Sequence, residues 1–447
     1  MKKELTPIKN IGGTLRVPGD KSIAHRAALL SVLARHPLTV INYPDSADCR
    51  TSLEVARKFG VGVEISNNRL VLTPPEKLFI EPETIIDCGN SATTARILAG
   101  LVAGSNMSVI ITGDESLSKR PMKRIIAPLS KMGAELFDDE GHLPLKIRGA
   151  KLLPFEYRLP VPSAQVKSSL LMAALASKCS LVLREDIITR DHTELMLTEL
   201  GQGLTVKEIK PVIQADPDDP RKRKISMPED FKKEISLSSN AAVEGGTVDI
   251  PGDISTAAFF MAAAAISRGT VTITNLGLNP TRTGFLEHLK AIGCRVEITD
   301  REKISGELRG TVTVTGGPLK ARKISGESTA RMIDEIPILA VIAAFSQGTT
   351  IVRDAGELKI KETDRLQAIA ENLQKMGVKC GVFGDGLIIE GGKEYNGADF
   401  DSHGDHRIAM AFSIAALFAE TPSTIDEASV VEISCPEFFK LLDQIII

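Results

Sequence analysis

Lys21, Ser22 and Arg26 follow a Pro-Gly-Asp turn at 18–20 and open an apolar segment in "VPGDKSIAHR". Ser22 and Arg26 are four residues apart, so a helix places them on one face. The first N–H groups of a helix lack partners, and its dipole is positive there, so such a place attracts anions. Two added cations suit a ligand carrying two or three negative charges. The arrangement recurs along the chain. Asn90, Ser91, Thr93, Thr94 and Arg96 open another apolar segment, as do Ser163, Gln165 and Lys167, then Asp334 and Glu335, then Asp405, His406 and Arg407. Outside these segments lie Lys119 and Arg120 in "SKRP", Arg190 in "TRDHTE", and Lys361, Glu362 and Arg365 in "KIKETDRL". Taken singly, Ser, Asn and Asp are ordinary helix caps and an Arg finds a local carboxylate. Taken together, cations at the mouths of apolar helices, where stray charge is costly to bury, indicate a cleft for phosphates and carboxylates.

Asp334 stands apart. If Pro337 in "MIDEIPILAVIAAF" is the first helical residue, Asp334 lies just outside the cap position, and capping does not account for it. A carboxylate among apolar neighbours and cations is a candidate general base. "SHGDHR" (402–407) offers His403, Asp405 and His406 to a metal, but no further ligand stands at supporting spacing. There is no phosphate-binding Walker loop, and the chain has no nucleophile-elbow signature.

The elements that must position these groups repeat. "VPGDKSIAHRAALL" at 17–30 has an echo in "IPGDISTAAFFMAA" at 250–263, which predicts two similar halves. Within each half an outer helix ends in Gly and a strand follows: Gly60, Gly133, Gly201, Gly293 and Gly377 mark five such places, and a sixth unit is expected to end near "FFKLLDQIII". Between them lie six Ala- and Ser-rich segments that are apolar on nearly all faces, which predicts helices buried inside each domain. Each unit then holds two helices and several strands, an α/β (α+β) class with three units per half. The polar stretch 214–233 interrupts the pattern as a long loop or hairpin, and its Arg221–Lys224 run is expected to be a solvated tip.

Composition narrows the function. A chain of 447 residues needs more than one core. A net charge of −3 favours neither nucleic acid nor an anionic membrane, and the lack of Trp argues against base stacking. The six cysteines are scattered without metal or redox spacing, so free thiols in a reducing, cytoplasmic compartment are expected. The N-terminus has no apolar stretch behind its lysines and no segment is long enough to span a bilayer.

The motifs "PGDKSIAHR", "DCGNSATTAR", "GDESLSKRP", "PSAQVKSSLL", "TRDHTE", "DEIPILA", "KIKETDRL" and "DHRIAM" closely resemble, in order and spacing, the 5-enolpyruvylshikimate-3-phosphate synthase family, in its class II-like branch. The resemblance runs from about residue 11 to the C-terminus. It implies two domains, each of three βαβαββ repeats with buried parallel helices (an inside-out α/β barrel), and an active site in the interdomain cleft. One domain would be 20–250, including the insertion, and the other 1–19 plus 251–447, with crossings near Pro18–Asp20 and Pro251–Asp253. The implied reaction moves the enolpyruvyl group of phosphoenolpyruvate onto the 5-hydroxyl of shikimate 3-phosphate and releases phosphate. By resemblance, Lys21, Ser22, Arg26, Ser163, Ala164, Gln165, Arg190, Asp334 and Lys361 hold shikimate 3-phosphate, and Lys21, Ala92, Arg120, Gln165, Arg365 and Arg407 hold phosphoenolpyruvate. Asp334 would take the hydroxyl proton, and Glu362 with Lys21 would protonate the methylene carbon. No metal or organic cofactor is implied, and the expected protein is a monomer without nucleic-acid or membrane partners. The cations of the two halves are expected to repel across an empty cleft until shared anions bridge them.

Two positions depart from the family. Ala92 stands where most members have Gly, which implies insensitivity to glyphosate, and Ile433-Ser434-Cys435-Pro436 replaces Lys-Thr-Phe-Pro, so a cation is missing there or supplied elsewhere. The alternatives are the sister enolpyruvyl transferase acting on UDP-N-acetylglucosamine, which works through a loop cysteine, and a non-catalytic anion-binding repeat protein. No cysteine sits in "SLSKRP", and Asp334 and Glu362 have no purpose in a passive binder.

Overall fold

The computed structural model describes residues 2–77, 84–210, 212–215 and 223–447. All six small-residue segments are helices: Lys21–Leu30, Ala92–Ala103, Ala164–Ser177, Ile254–Ser267, Ile336–Phe345 and His406–Leu417. Their residues are buried almost throughout, since none has a polar face to turn to water. Small side chains let these helices approach closely. A Cβ on Gly100 would stand 1.9 Å from the Ser169 carbonyl oxygen, and one on Gly104 would stand 2.1 Å from that of Ala173. Both glycines are therefore required by the contact with helix Ala164–Ser177.

Five of the six units pair four strands the same way. In the second unit Thr84–Asp87 runs parallel to Ser108–Thr112, which pairs antiparallel with His142–Arg148, which pairs antiparallel with Glu135–Asp139. The buried helix Ala92–Ala103 joins the parallel pair, and the outer helix Lys123–Met132 leads into the hairpin. That is a βαβαββ order. The first unit of each half borrows its first strand from the far end of the chain segment. Gly246–Asp249 pairs parallel with Leu38–Ile41, and Gly12–Leu15 pairs parallel with Thr270–Gly277. The sheets stay separate, and among the described residues none closes into a continuous barrel.

Two hydrophobic cores result. One holds residues from Ile23 to Ile250, the other Leu5 to Val17 with Ile254 to Ile445. The chain passes between them at the two echoed turns, which lie side by side: Asp20 N donates to the Pro251 carbonyl and Asp253 N to that of Pro18, both at 2.9 Å. Asp20 and Asp253 cap their helices alike, and Arg282 reaches both, at 2.6 and 3.3 Å.

The structure corrects two expectations of detail and resolves a third, the insertion, as a hairpin. Gly133 and Gly293 end helices in the left-handed conformation, but Gly201 is extended and already begins strand Gly201–Glu208. Glycine is needed at 201 for another reason, because a Cβ would lie 2.3 Å from the Ala242 carbonyl oxygen. The sixth unit is cut short. Its sheet has three strands, one of them Lys3–Leu5 from the N-terminus, and the chain ends after the short helix Phe438–Asp443 instead of a hairpin. Of the insertion, Val212–Ala215 and Arg223–Ser226 pair antiparallel, while Arg221 and Lys222 lie outside the described residues.

Candidate functional site

The polar helix mouths converge on a cavity of about 240 Å³ in the cleft between the two cores. From one half Lys21, Ser22, Ala92, Arg120, Ser163, Ala164, Gln165 and Arg190 line it, and from the other Asp334, Lys361, Glu362, Arg365 and Arg407. Caps explain how the sequence brings them there. Asp20 accepts from Ser22 N and Ile23 N, Ser163 from Val166 N, and Asp405 from Arg407 N and Ile408 N, so each helix starts at the cavity wall with its functional residues in the first turn.

Asp334 sits in a single 3-10 turn, Ile333–Glu335, before helix Ile336–Phe345, and caps nothing. Its carboxylate is ringed by cations from both halves. Arg190 approaches to 2.5 Å, Arg365 to 3.4 Å, Lys361 to 3.5 Å and Arg407 to 3.9 Å. Burial alone would raise its pKa, but Lys361, Arg190, Arg407 and Arg365 outweigh that and hold it well below the usual carboxylate range. Glu362 is held ionised in the same way: burial opposes, but Arg365 at 2.5 Å and Arg120 at 3.3 Å prevail. Arg365 is itself 1% exposed, with its Nε 2.7 Å from Asp405.

The first half is braced internally. Lys21 pairs with Asp48 at 3.1 Å. Arg96 donates to Gln165 Oε1 at 2.6 Å, and Gln165 Nε2 donates to Thr93 Oγ1 at 3.0 Å, which fixes the Gln165 amide at the wall. Arg26 is not brought to the lining. It lies behind the wall, 4% exposed, with its guanidinium bonded to Thr193, Ser168 and the Ser22 carbonyl oxygen at 2.7–2.8 Å.

Across the cleft the two halves attract. Arg120 faces Glu362, Arg124 faces Glu357 at 2.9 Å, and Arg190 faces Asp334. The expected repulsion of cation against cation is replaced at these three places by cations of one half against carboxylates of the other. Sequence reading missed Asp48, Arg124 and Glu357 at the cavity. Arg124 was findable: it stands four residues after Arg120, and it adds a cation that the C-terminal Ile433–Pro436 segment does not supply. Of the metal candidates, Asp405 is spent on Arg365 and on capping, His403 faces Glu371, and only His406 reaches the cavity. No described helix is long and apolar enough to cross a membrane. All six cysteines are free.

Residues 5–251 and 224–442 match the EPSP synthase (3-phosphoshikimate 1-carboxyvinyltransferase) family. The chain belongs to this family. A 3-phosphoshikimate 1-carboxyvinyltransferase of Herpetosiphon aurantiacus is 42% identical over 449 residues, covering 100% of this chain and 99% of the relative. One from Bacillus velezensis is 38% identical over 450 residues, covering 100% and 99%. The solved EPSP synthase of Acinetobacter baumannii superposes with a TM-score of 0.80 at 34% identity, covering 99% of this chain and 98% of that one. The EPSP synthase family thus accounts for the full length of the chain and for the two-domain α/β architecture.

Proposed function

We propose that this protein transfers the enolpyruvyl group of phosphoenolpyruvate to the 5-hydroxyl of shikimate 3-phosphate and releases phosphate, with its two cores, 20–250 and 1–19 plus 251–447, as the two domains. The observation that carries the reading is the buried Asp334 carboxylate in the cleft, held by Arg190 of one core and by Lys361, Arg365 and Arg407 of the other.

Both substrates bring phosphate and carboxylate groups, and these compete with the internal carboxylates for the same cations. Lys21, Ser22, Ser163, Ala164, Gln165, Arg190 and Lys361 take shikimate 3-phosphate, with Arg26 supporting the Ser22 backbone from behind. Lys21, Ala92, Arg120, Gln165, Arg365 and Arg407 take phosphoenolpyruvate. Arg120, Arg190, Lys361, Arg365 and Arg407, when turned toward a substrate, are drawn from Asp334 or Glu362, so both carboxyl pKa values rise on binding. Asp334 then becomes basic enough to take the 5-hydroxyl proton as the oxygen attacks C2 of phosphoenolpyruvate. Glu362, freed from Arg120 and Arg365, carries the proton that C3 receives, with Lys21 beside it. Glu362 then takes a proton back from C3 as the C2–O bond to phosphate breaks, which restores the double bond and releases phosphate. The site thereby stays inert until both anions are present.

None of the six cysteines lines the cavity, which disfavours the sister transferase chemistry. The same reading makes the protein a cytoplasmic monomer acting on small molecules, insensitive to glyphosate through Ala92. The assay is phosphate release from purified protein. Release is expected only when phosphoenolpyruvate and shikimate 3-phosphate are present together, and release with UDP-N-acetylglucosamine in place of the latter would overturn the assignment.

A further inference from the structure

Four side chains form a single file of hydrogen bonds between two points of the cavity wall. His25 Nδ1 lies 2.7 Å from Ser52 Oγ, Ser52 Oγ 2.7 Å from Thr94 Oγ1, and Thr94 Oγ1 2.7 Å from Ser91 Oγ. They come from three helices: His25 from Lys21–Leu30, Ser52 from Ala47–Lys58, and Ser91 and Thr94 from the cap and first turn of Ala92–Ala103. His25 and Ser91 are each 3% exposed and line the cavity, whereas Ser52 and Thr94 are at 0% and lie in the interior.

Counting hydrogens constrains this file. A neutral imidazole carries one N–H and each hydroxyl one O–H, so four hydrogens serve three links and one is left over. Left on Ser52 or Thr94 it would point into a dry interior, where an unmade hydrogen bond is costly. It therefore belongs to one end, either Ser91 Oγ or His25 Nε2, and all the hydroxyls point the same way in each state. The ring is kept neutral by burial, which lowers the His25 pKa to about 4 against the pull of Asp48 and with the help of Lys21 and Arg26.

We propose that this file is a one-proton relay by which an anion at the N-terminus of helix Ala92–Ala103 sets the hydrogen-bonding sense of His25 toward the cavity. An anionic oxygen beside Ser91 accepts a hydrogen bond from the Ser91 hydroxyl, so that end must donate. The hydroxyls of Thr94 and Ser52 then point toward Ser91, Nδ1 holds the ring proton, and Nε2 becomes an acceptor. The exchange conserves protons: one leaves Nε2 for cavity water, one passes from Ser52 to Nδ1, the hydroxyls hand theirs along, and Ser91 is replenished from water. Lys21 is four residues before His25 on the same helix face, so an acceptor at Nε2 favours its ammonium on that side of the cavity. His25 is in this sense a positioning residue for Lys21. The identity of the anion, phosphoenolpyruvate, rests on the function proposed above, whereas the relay does not.

Nitrogen-15 NMR of the histidine-labelled full chain reads which ring nitrogen carries hydrogen, with His25 assigned by comparison with His25→Asn. Phosphoenolpyruvate is titrated in one arm and inorganic phosphate in the other, with binding followed independently by calorimetry. The His25 signal is expected to move to the Nδ1–H form as the anion saturates. Ser52→Ala should abolish that response and raise the KM for phosphoenolpyruvate about fivefold, the loss of one hydrogen bond. If Ser52→Ala does not fold, the titration of the unsubstituted protein decides alone. An unchanged tautomer with either anion demonstrably bound overturns the relay, as does a lack of binding by both. A switch with inorganic phosphate, when phosphoenolpyruvate itself does not bind, leaves the relay standing and removes the proposed function.

Discussion

Arg190 Nη2 stands 2.5 Å from Asp334 Oδ2, so a cation of one core neutralises the buried carboxylate of the other. The contact ties the proposed base to closure of the cleft: the carboxylate is ionised by groups that the substrates must recruit. Asp334→Asn is expected to fold and to bind shikimate 3-phosphate at least as tightly, because Arg190 and Lys361 lose an internal competitor. Its turnover should fall ~10²–10⁴-fold, the usual scale for losing a general base. Calorimetry and steady-state rates on the same preparation check both halves of the statement, and near-normal turnover would remove Asp334 from the mechanism.

Arg124 and Glu357 face each other at 2.9 Å with side chains 16% and 39% exposed, at the rim of the cleft. An exposed pair of this kind contributes about 0.2–1 kcal/mol. Glu357→Gln should therefore raise the KM of both substrates by up to about fivefold while leaving kcat nearly unchanged. The ligand-free variant should also show a larger radius of gyration in small-angle scattering than the unsubstituted protein. A fall in kcat with unaltered KM would mean that Glu357 acts in the chemistry and not in closure.

The helices and their caps could be read from sequence because their causes are local. An all-round apolar run predicts a buried helix wherever it falls, and Asp20, Ser163 and Asp405 cap within three residues of themselves. Of the residues that the resemblance assigns to substrates or catalysis, all but Arg26 line the cavity, because each stands at a helix mouth or beside one. What sequence could not show is non-local. Gly246–Asp249 and Gly12–Leu15 complete sheets whose other strands lie far away in the chain, and Lys3–Leu5 completes the shortened sixth unit. The pairing of Arg124 with Glu357 across the cleft depends on how the cores meet, which no spacing records. Gly201 stands at its helix end as a capping glycine does, but the contact that excludes a side chain there comes from Ala242, far away in the chain.

Acid should destabilise the protein in two windows. His288 is buried, and burial, with Arg322 adding, lowers its pKa from 6.5 to about 4. The native ring stays neutral where the unfolded chain already binds a proton, so its contribution is complete above about 6.5 and is lost as pH falls toward 4. The Asp20 pKa is lowered from 3.8 to about 2: burial opposes, but Arg282, His192 and Arg190 prevail. Its contribution is complete above 3.8 and is lost as pH falls through about 2. Urea unfolding at pH 7 and pH 4.5 should show a drop that is smaller in His288→Gln, by about 2 kcal/mol at most. An equal drop in both proteins would place the upper window on other groups.

Ala92 is the first residue of helix Ala92–Ala103, 6% exposed, and lines the cavity with Thr93 and Ser91. Resemblance places phosphoenolpyruvate there and implies that a Gly would leave room for glyphosate, which is longer. The methyl should shorten the pocket, so that the compact substrate fits while the inhibitor must bend or push the helix start. Overpacking of this kind costs ~1–3 kcal/mol. At about tenfold per 1.4 kcal/mol, that is roughly 5- to 150-fold weaker inhibition. A competing account is that Ala92 merely favours the helix over Gly and the pocket relaxes around it. The relay at Ser91 gives a second way for position 92 to act, because a shift of the helix start would move the cap hydroxyl as well. Ala92→Gly separates these accounts when the glyphosate inhibition constant is compared with the KM for phosphoenolpyruvate. Inhibition that tightens at least severalfold while KM holds assigns the effect to the methyl group. If both constants change together, the helix start has moved, and if neither changes, Ala92 does not set the length of the pocket.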